Sequence, residues 1–318
     1  MTAQAAAPLQ VLVIDADHAR YQALLAEQAP DLRVLPGNCA DTLAADAVAC
    51  PVWLGQPDHV ATLLRRGIAP RWLQSTWAGI TPLLAADLPR DYRLSRAVGI
   101  FGPVMSEFVL CHLLAHTQQL QARQLAHQRG HWQGPAVTSL NGQCALIVGT
   151  GDIGQHLAAV LNSLGMRVLG VASSARSQAP FVEVGGLDAL PQLASKADYL
   201  INLLPDTPAT RDLYDAQLFA CCKPGALFIN AGRGSAVVDA DLVQALEAGR
   251  LGGAVIDVCR EEPPAPDHPF WQAPRLLLTG HTAAPTDPRR LVAVFLENLA
   301  AWQADKPLRG EVDFARGY

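Results

Sequence analysis

Cys144-Ala145-Leu146-Ile147-Val148-Gly149-Thr150-Gly151-Asp152-Ile153-Gly154 is the stretch from which the fold is read. Five uncharged residues, Cys144–Val148, predict a buried strand, and Ile153–Leu164 has the spacing of a helix. Between them stands G-x-G-x-x-G. Alone that pattern says little, but strand before and helix after are the context it needs. Gly149 permits the tight turn, Gly151 lets the backbone approach a pyrophosphate, and Gly154 lets the helix pack close to its strand. The helix N-terminus, with Asp152 and Ile153 in its first turn, would face the phosphates with its dipole and free N–H groups. The stretch therefore predicts a dinucleotide site.

The alternation of strand and helix continues in both directions. Downstream, Arg167–Val171, Tyr199–Leu203, Ala226–Asn230, Gly253–Val258 and Arg275–Thr279 read as strands. Helices at Leu187–Ala194, Asp215–Cys221 and Asp239–Ala248 lie among them. With Cys144–Val148 this makes a doubly wound parallel sheet of about six strands. Upstream, Gln10–Asp15, Val48–Leu54 and Trp72–Thr76 read as strands, Ala19–Gln28 and Asp58–Arg65 as helices, and Arg93–Val98 as a closing strand. That is a second, smaller α/β unit. Ser106–Gln128 has no Gly or Pro and reads as one long helix, and Asp287–Ala304 reads as the closing helix.

Composition agrees with two domains: 318 residues, 50% apolar and 17% charged. The net charge of −5 leaves no basic excess to neutralise phosphates, which argues against a nucleic-acid partner. All basic residues but Lys196, Lys223 and Lys306 are arginines, a bias of composition, so an arginine counts here by its position. Met1–Gln10 carries no positive side chain, so no signal peptide is expected, and no apolar run of about 18 residues predicts a membrane span. Seven cysteines without a CxxC pair predict free thiols in a reducing cytoplasm. Nine histidines without HExxH spacing predict no metal site.

Beyond the strand Arg167–Val171, an NAD enzyme places a carboxylate on the ribose hydroxyls. Here the chain runs Ala172-Ser173-Ser174-Ala175-Arg176, with two hydroxyls and an arginine instead. Those groups suit a 2′-phosphate, so the sequence favours NADP(H) and leaves NAD(H) possible.

Three polar residues follow predicted strands. They are Arg233 in Asn230-Ala231-Gly232-Arg233-Gly234, Glu262 in Glu261-Glu262-Pro263, and His281 in Thr279-Gly280-His281-Thr282. In a doubly wound sheet ligands sit at the carboxyl ends of strands. A 2-oxo acid needs its carboxylate and carbonyl oriented, which the Arg233 fork can do. Its carbonyl oxygen needs a proton as hydride reaches carbon, and a histidine can give one. A carboxylate on the histidine fixes the ring. Arg233 as a loop cation, Glu262 as a helix-leading charge and His281 as a satisfied turn histidine are the bland alternatives. The three together, after a dinucleotide motif, point to hydride transfer.

With these residues in view the sequence resembles the D-isomer-specific 2-hydroxyacid dehydrogenase family. The likeness rests on Gly149–Gly154, Leu203-Leu204-Pro205-Asp206-Thr207-Pro208-Ala209-Thr210-Arg211, Asn230–Gly234 with Val237-Val238-Asp239, Ile256-Asp257-Val258 with Glu261-Glu262-Pro263, and Gly280-His281. Trp72–Ile80, Phe101–Glu107 and the tail Val312–Tyr318 are similar to its glyoxylate/hydroxypyruvate reductase subgroup. The resemblance implies two Rossmann-like domains. A cofactor domain, residues 101–285, is inserted into a split, flavodoxin-like substrate domain, residues 1–100 and 286–318, with a cleft that closes about a hinge.

The resemblance also implies Arg233 on the substrate, His281 as acid/base and Glu262 as its partner. It places Leu204, Pro205, Ala231 and Asp257 on the cofactor, Asp257 at the carboxamide. Backbone amides near Gly79 and Ile80 would hold the substrate carboxylate, with Trp77 and Ala78 beside them. It implies reduction of glyoxylate and hydroxypyruvate, and a homodimer with an arm around His131 and Trp132. Bulkier 2-oxo acids and a nucleotide-sensing module with weak turnover are the alternatives. Three positions depart from the family pattern: Gly280 stands where most relatives have proline, Thr81 where many have aspartate, and Ser173 where NADP users often have arginine. Arg176 must then supply the charge.

Overall fold

The computed structural model describes residues 8–132, 134–315 and 317. Met1–Ala7, most of the segment read above for a signal peptide, and Arg316 and Tyr318 of the tail lie outside them. In chain order the strands are β1 (Gln10–Ile14), β2 (Arg33–Gly37), β3 (Val52–Gly55), β4 (Trp72–Ser75), β5 (Arg93–Ser95), β6 (Cys144–Val148), β7 (Arg167–Val171), β8 (Glu183–Gly185), β9 (Tyr199–Asn202), β10 (Ala226–Asn230), β11 (Leu251–Ile256) and β12 (Leu276–Leu278). The α-helices are α1 (His18–Gln28), α2 (Ala40–Ala49), α3 (Pro57–Arg65), α4 (Gly102–Thr117), α5 (Leu120–Gln128), α6 (Asp152–Ser163), α7 (Leu190–Ala194), α8 (Ala216–Cys221), α9 (Asp239–Glu247) and α10 (Pro288–Gln303). The chain divides into two compact units, Phe101–Pro285 and the two flanking segments, up to Ile100 and from Thr286 on.

The flanking segments form a five-stranded sheet in the order β2-β1-β3-β4-β5. Every strand pair in it is parallel. Parallel strands are covered on both faces, and β1 and β3 are accordingly near-continuous apolar runs, while β4 is fully buried with Gln74 and Ser75 in its second half. The C-terminal segment is part of this core. Trp72 of β4 stacks on Phe295 of α10 at 5.2 Å and on Trp302 at 6.1 Å. Beneath the stack lies a buried polar knot. Gln74 Oε1 accepts from Ser95 Oγ at 2.8 Å and from Asn298 Nδ2 at 2.9 Å. Asn298 also takes the Arg309 N–H and donates to the Arg309 carbonyl. The tail then lies along β5, where Arg93 grips Glu311 through two bonds of 2.7 and 2.9 Å.

The inner unit holds a seven-stranded parallel sheet, β12-β11-β10-β9-β6-β7-β8. Counted from β6, the order is the 3-2-1-4-5-6 of dinucleotide domains with a seventh strand added. Its switch point lies between β6 and β9.

Four sequence expectations need correction. The sheet has seven strands rather than about six, because the three-residue β8 carries no apolar run to mark it. β2 and α2 form from a stretch that had not been assigned. Val48 and Ala49 close α2 rather than opening β3, and the chain straightens only after Pro51. The long helix is two. Gln119 turns left-handed (φ 51°) between α4 and α5. α4 buries Met105, Val109, Leu113 and Thr117, whereas no residue of α5 is buried. Once the apolar face ends, packing no longer holds the axis straight.

Asn298→Ala would leave the buried Gln74 Oε1 with Ser95 alone and the backbone N–H and carbonyl of Arg309 without their side-chain partner. The expected cost is about 3 kcal/mol of stability, and urea unfolding measures it.

Candidate active site

The glycine turn follows β6 at the switch point. Gly149 has φ 110°, open to glycine, and a Cβ on it would meet the Leu203 carbonyl carbon at 3.0 Å. The segments after β6 and β9, which carry Gly149 and Leu203-Leu204-Pro205, therefore lie side by side. A Cβ on Gly154 would stand 2.1 Å from the Gly149 carbonyl oxygen, so only glycine lets α6 start so close to β6. Gly151 is different: nothing lies within 4 Å of where its Cβ would be. Gly151 is also the N-cap of the 12-residue α6, with no side chain capping it. Uncapped N–H groups behind an open face fit a pyrophosphate. Asp152 is exposed and Ile153 half-buried there. After β7, Ser173 and Ser174 are exposed, while Arg176 reaches back to the turn, its Nη2 2.7 Å from Thr150 Oγ1.

Arg233, Glu262 and His281 belong to three adjacent loops of this same unit. Two asparagines at strand ends shape the first. Asn202 Nδ2 donates to Asn230 Oδ1, which also takes the Gly232 N–H, and Asn230 Nδ2 donates to the Arg233 carbonyl. Both asparagines are fully buried. Gly232 and Gly234 bracket Arg233 because there is no room for more. A Cβ on Gly232 would lie 2.8 Å from Asn202 Nδ2, and one on Gly234 only 2.0 Å from the Cys259 carbonyl carbon. The Arg233 loop is thus pressed onto the 257–262 loop. Ser235, two residues on, donates to Asp206 at 2.9 Å. Arg211 grips Asp206 too, and that bond foremost holds the carboxyl below the usual carboxylate range.

Glu262 divides its carboxylate. Oε1 accepts the Cys259 N–H at 2.9 Å, and Oε2 lies 2.7 Å from His281 Nδ1. An ionised carboxylate only accepts, so Nδ1 carries the hydrogen and Nε2 is left to exchange protons. The His281 turn is wound left-handed, with φ 75° at Gly280 and 58° at His281. Proline, fixed near −65°, cannot adopt the conformation found at Gly280. The strain at His281 is held by Asp257. That side chain is 4% exposed. Its backbone oxygen takes the His281 N–H at 2.6 Å. Its carboxylate takes Thr279 Oγ1 at 2.6 Å, the Thr282 N–H at 2.8 Å and the Ala283 N–H at 3.1 Å. Only Oδ2 has one donor, so it retains capacity for one more, as from a carboxamide. Burial pushes the neighbouring Cys259 thiol up to about 11, so no thiolate competes there near neutral pH. Among the described residues no cluster of three or more His, Cys, Asp or Glu is arranged to hold a metal.

Trp77, Ala78, Gly79 and Ile80 belong to the other unit, after β4. Ser75 Oγ accepts the Trp77 N–H at 3.1 Å and donates to its carbonyl at 3.0 Å, folding the segment back on the strand. Trp77 is 38% exposed and Ile80 is buried. Beside them Thr76 is buried with no partner for its hydroxyl.

Residues 110–283 match the profile of the D-isomer specific 2-hydroxyacid dehydrogenase, NAD binding domain. The chain belongs to the D-isomer-specific 2-hydroxyacid dehydrogenase family. A family protein from Aeromonas salmonicida has a crystal structure that superposes with a TM-score of 0.91, at 38% identity, covering 96% of this chain and 99% of that one. Glyoxylate/hydroxypyruvate reductase A of Serratia proteamaculans is 34% identical over 67% of this chain and 68% of its own length. The NADPH-dependent glyoxylate/hydroxypyruvate reductase of Sinorhizobium meliloti, solved with NADP and sulfate, is 29% identical. It superposes with a TM-score of 0.84, covering 98% of this chain and 100% of that one. The protein is therefore an oxidoreductase of that family with a Rossmann-like dinucleotide domain. Among the described residues no helix is long and apolar enough to cross a membrane.

Sequence reading had not singled out Asn202, Asn230, Thr279, Thr282, Thr150 or Thr76. The two asparagines carried a signal, since each ends an apolar strand where a polar side chain must find buried partners. The threonines carried none. Gly234→Ala is expected to push the Arg233 loop off Cys259 and lower kcat about 10²-fold with cofactor still bound. Steady-state rates and cofactor fluorescence read the two effects separately.

Proposed function

We propose that the chain reduces small 2-oxo acids, glyoxylate and hydroxypyruvate first, with NADPH as the preferred donor. The observation that carries this is the His281–Glu262 pair at 2.7 Å, which orients the ring and leaves Nε2 to protonate the substrate oxygen. The reduced nicotinamide, when bound, supplies the hydride to the carbonyl carbon. Arg233 orients the oxo acid through its guanidinium fork, and the backbone amides near Gly79 and Ile80, beside Trp77 and Ala78, take its carboxylate. Gly149–Gly154, Leu204, Pro205, Ala231 and Asp257 bind the cofactor, and Ser173, Ser174 and Arg176 its 2′-phosphate. In this reading Phe101–Pro285 is the cofactor domain and the flanking segments the substrate domain. The names of the Serratia and Sinorhizobium relatives support the substrate class, and that of the Sinorhizobium protein the cofactor. Seven free thiols accord with work in the cytoplasm.

Initial rates with NADPH and NADH on glyoxylate, hydroxypyruvate and phenylpyruvate test this. The highest kcat/KM is expected with NADPH and the two smaller acids. A clear NADH preference overturns the assignment of Ser173, Ser174 and Arg176, and a phenylpyruvate preference overturns the substrate. His281→Ala should lower kcat about 10²- to 10⁴-fold while NADPH still binds, and unchanged turnover overturns the mechanism.

The same reading includes a homodimer. α5 buries none of its residues, and Leu120, Leu125 and Trp132 are 48%, 45% and 100% exposed. Exposed apolar side chains at these three positions favour cover by a second copy. Sedimentation should give a dimer, and Leu125→Glu with Trp132→Glu a monomer. A monomeric parent protein overturns this part.

A further inference from the structure

We propose that Gln178 and Thr150 are positioning residues that set the preference for a 2′-phosphorylated cofactor, by holding Arg176 in place beside the glycine turn. The inference rests on the NADPH reading above.

Arg176 lies on an exposed segment, where a guanidinium would ordinarily sample many rotamers and lose that freedom on taking up one anion. Here it is already held. Its backbone N–H donates to the Val184 carbonyl of β8 at 3.2 Å. Its Nε donates to Gln178 Oε1 at 2.6 Å and its Nη2 to Thr150 Oγ1 at 2.7 Å. Gln178 is locked in turn, because its Nε2 donates to the Thr150 carbonyl at 2.8 Å and its Oε1 also accepts from Thr150 Oγ1 at 3.1 Å. The platform under them is rigid. Thr150 is 3% exposed, and its methyl fills the space left by Gly170, whose Cβ would lie 2.6 Å from Thr150 Cγ2.

Two of the five guanidinium N–H groups point into this ring. The three that remain, on the terminal nitrogens, make the fork that grips phosphate oxygens in pairs. Thr150 is the middle residue of Gly149-Thr150-Gly151, so the fork is fixed to the turn that fits the pyrophosphate. A neutral acceptor is essential. A carboxylate at 178 would still accept the Arg176 Nε–H, but its charge would cancel that of Arg176 and repel the dianion. Gln178 supplies the geometry without the charge.

The test compares the parent protein with Arg176→Ala, Gln178→Leu and Gln178→Glu. Each is read as kcat/KM for NADPH over that for NADH, and as the inhibition constant of adenosine 2′-monophosphate against NADH. Gln178→Leu is expected to lower the NADPH-to-NADH ratio about three- to tenfold, the loss residing in KM, as for one side chain that must be ordered on binding. Gln178→Glu still accepts from Arg176 Nε and Thr150 Oγ1 but loses the Nε2–H that donates to the Thr150 carbonyl, and with its added charge it is expected to lower the ratio further and weaken adenosine 2′-monophosphate more. A purely structural role predicts the reverse order, with Glu, which keeps two of the three bonds, closer to the parent than Leu. If Arg176→Ala lowers the ratio and both Gln178 variants leave it unchanged, the positioning role is overturned and the NADPH reading stands. If Arg176→Ala leaves it unchanged, the NADPH reading itself falls.

Discussion

A buried carboxylate must be met by donors, and Asp257 is the place where that demand organises the inner unit. It ends a strand interior, 4% exposed, and the donors that reach it come from one short stretch, residues 279–283. Meeting Asp257 winds that stretch left-handed and sets His281 against Glu262. The neighbouring loop is fixed from the other side, because Glu262 also takes the Cys259 N–H and Gly234 lies hard on the Cys259 carbonyl. One buried charge and one glycine thus bring the loops of three strands together. The energetic argument is one-sided: each group is cheap while paired and costly if its partner goes.

This also explains the departure at Gly280. The family's proline and this chain's glycine make different demands on the backbone before the histidine. With φ at 75°, the turn found here is open to glycine and closed to proline. The carboxylate, and not the residue before the histidine, holds the turn.

Much of this was legible in the sequence. Apolar runs such as Cys144–Val148 and Ala226–Asn230 give their strands directly, because a strand covered on both faces has little room for polar residues. The glycine spacing located the turn, and strand ends located Arg233, Glu262 and His281. What stayed hidden has physical causes. β8 is three residues long and held by its neighbour β7. The break at Gln119 needs no special residue, since it follows from where burial stops. The Thr150–Gln178–Arg176 ring depends on side chains 26 and 28 residues apart, a distance over which spacing says nothing.

The outer unit is built from both ends of the chain, and that has a consequence for its assembly. Gln74 and Asn298 are 224 residues apart, and the Trp72 stack needs Phe295 and Trp302 as well. Such contacts cannot form until Phe295, Asn298 and Trp302 have left the ribosome. The inner unit, encoded without interruption, is complete earlier, so the natural order of folding runs from the middle outward. Until then the first hundred residues carry an uncovered tryptophan and a glutamine short of one partner, and α10 arrives as the lid that makes them a domain.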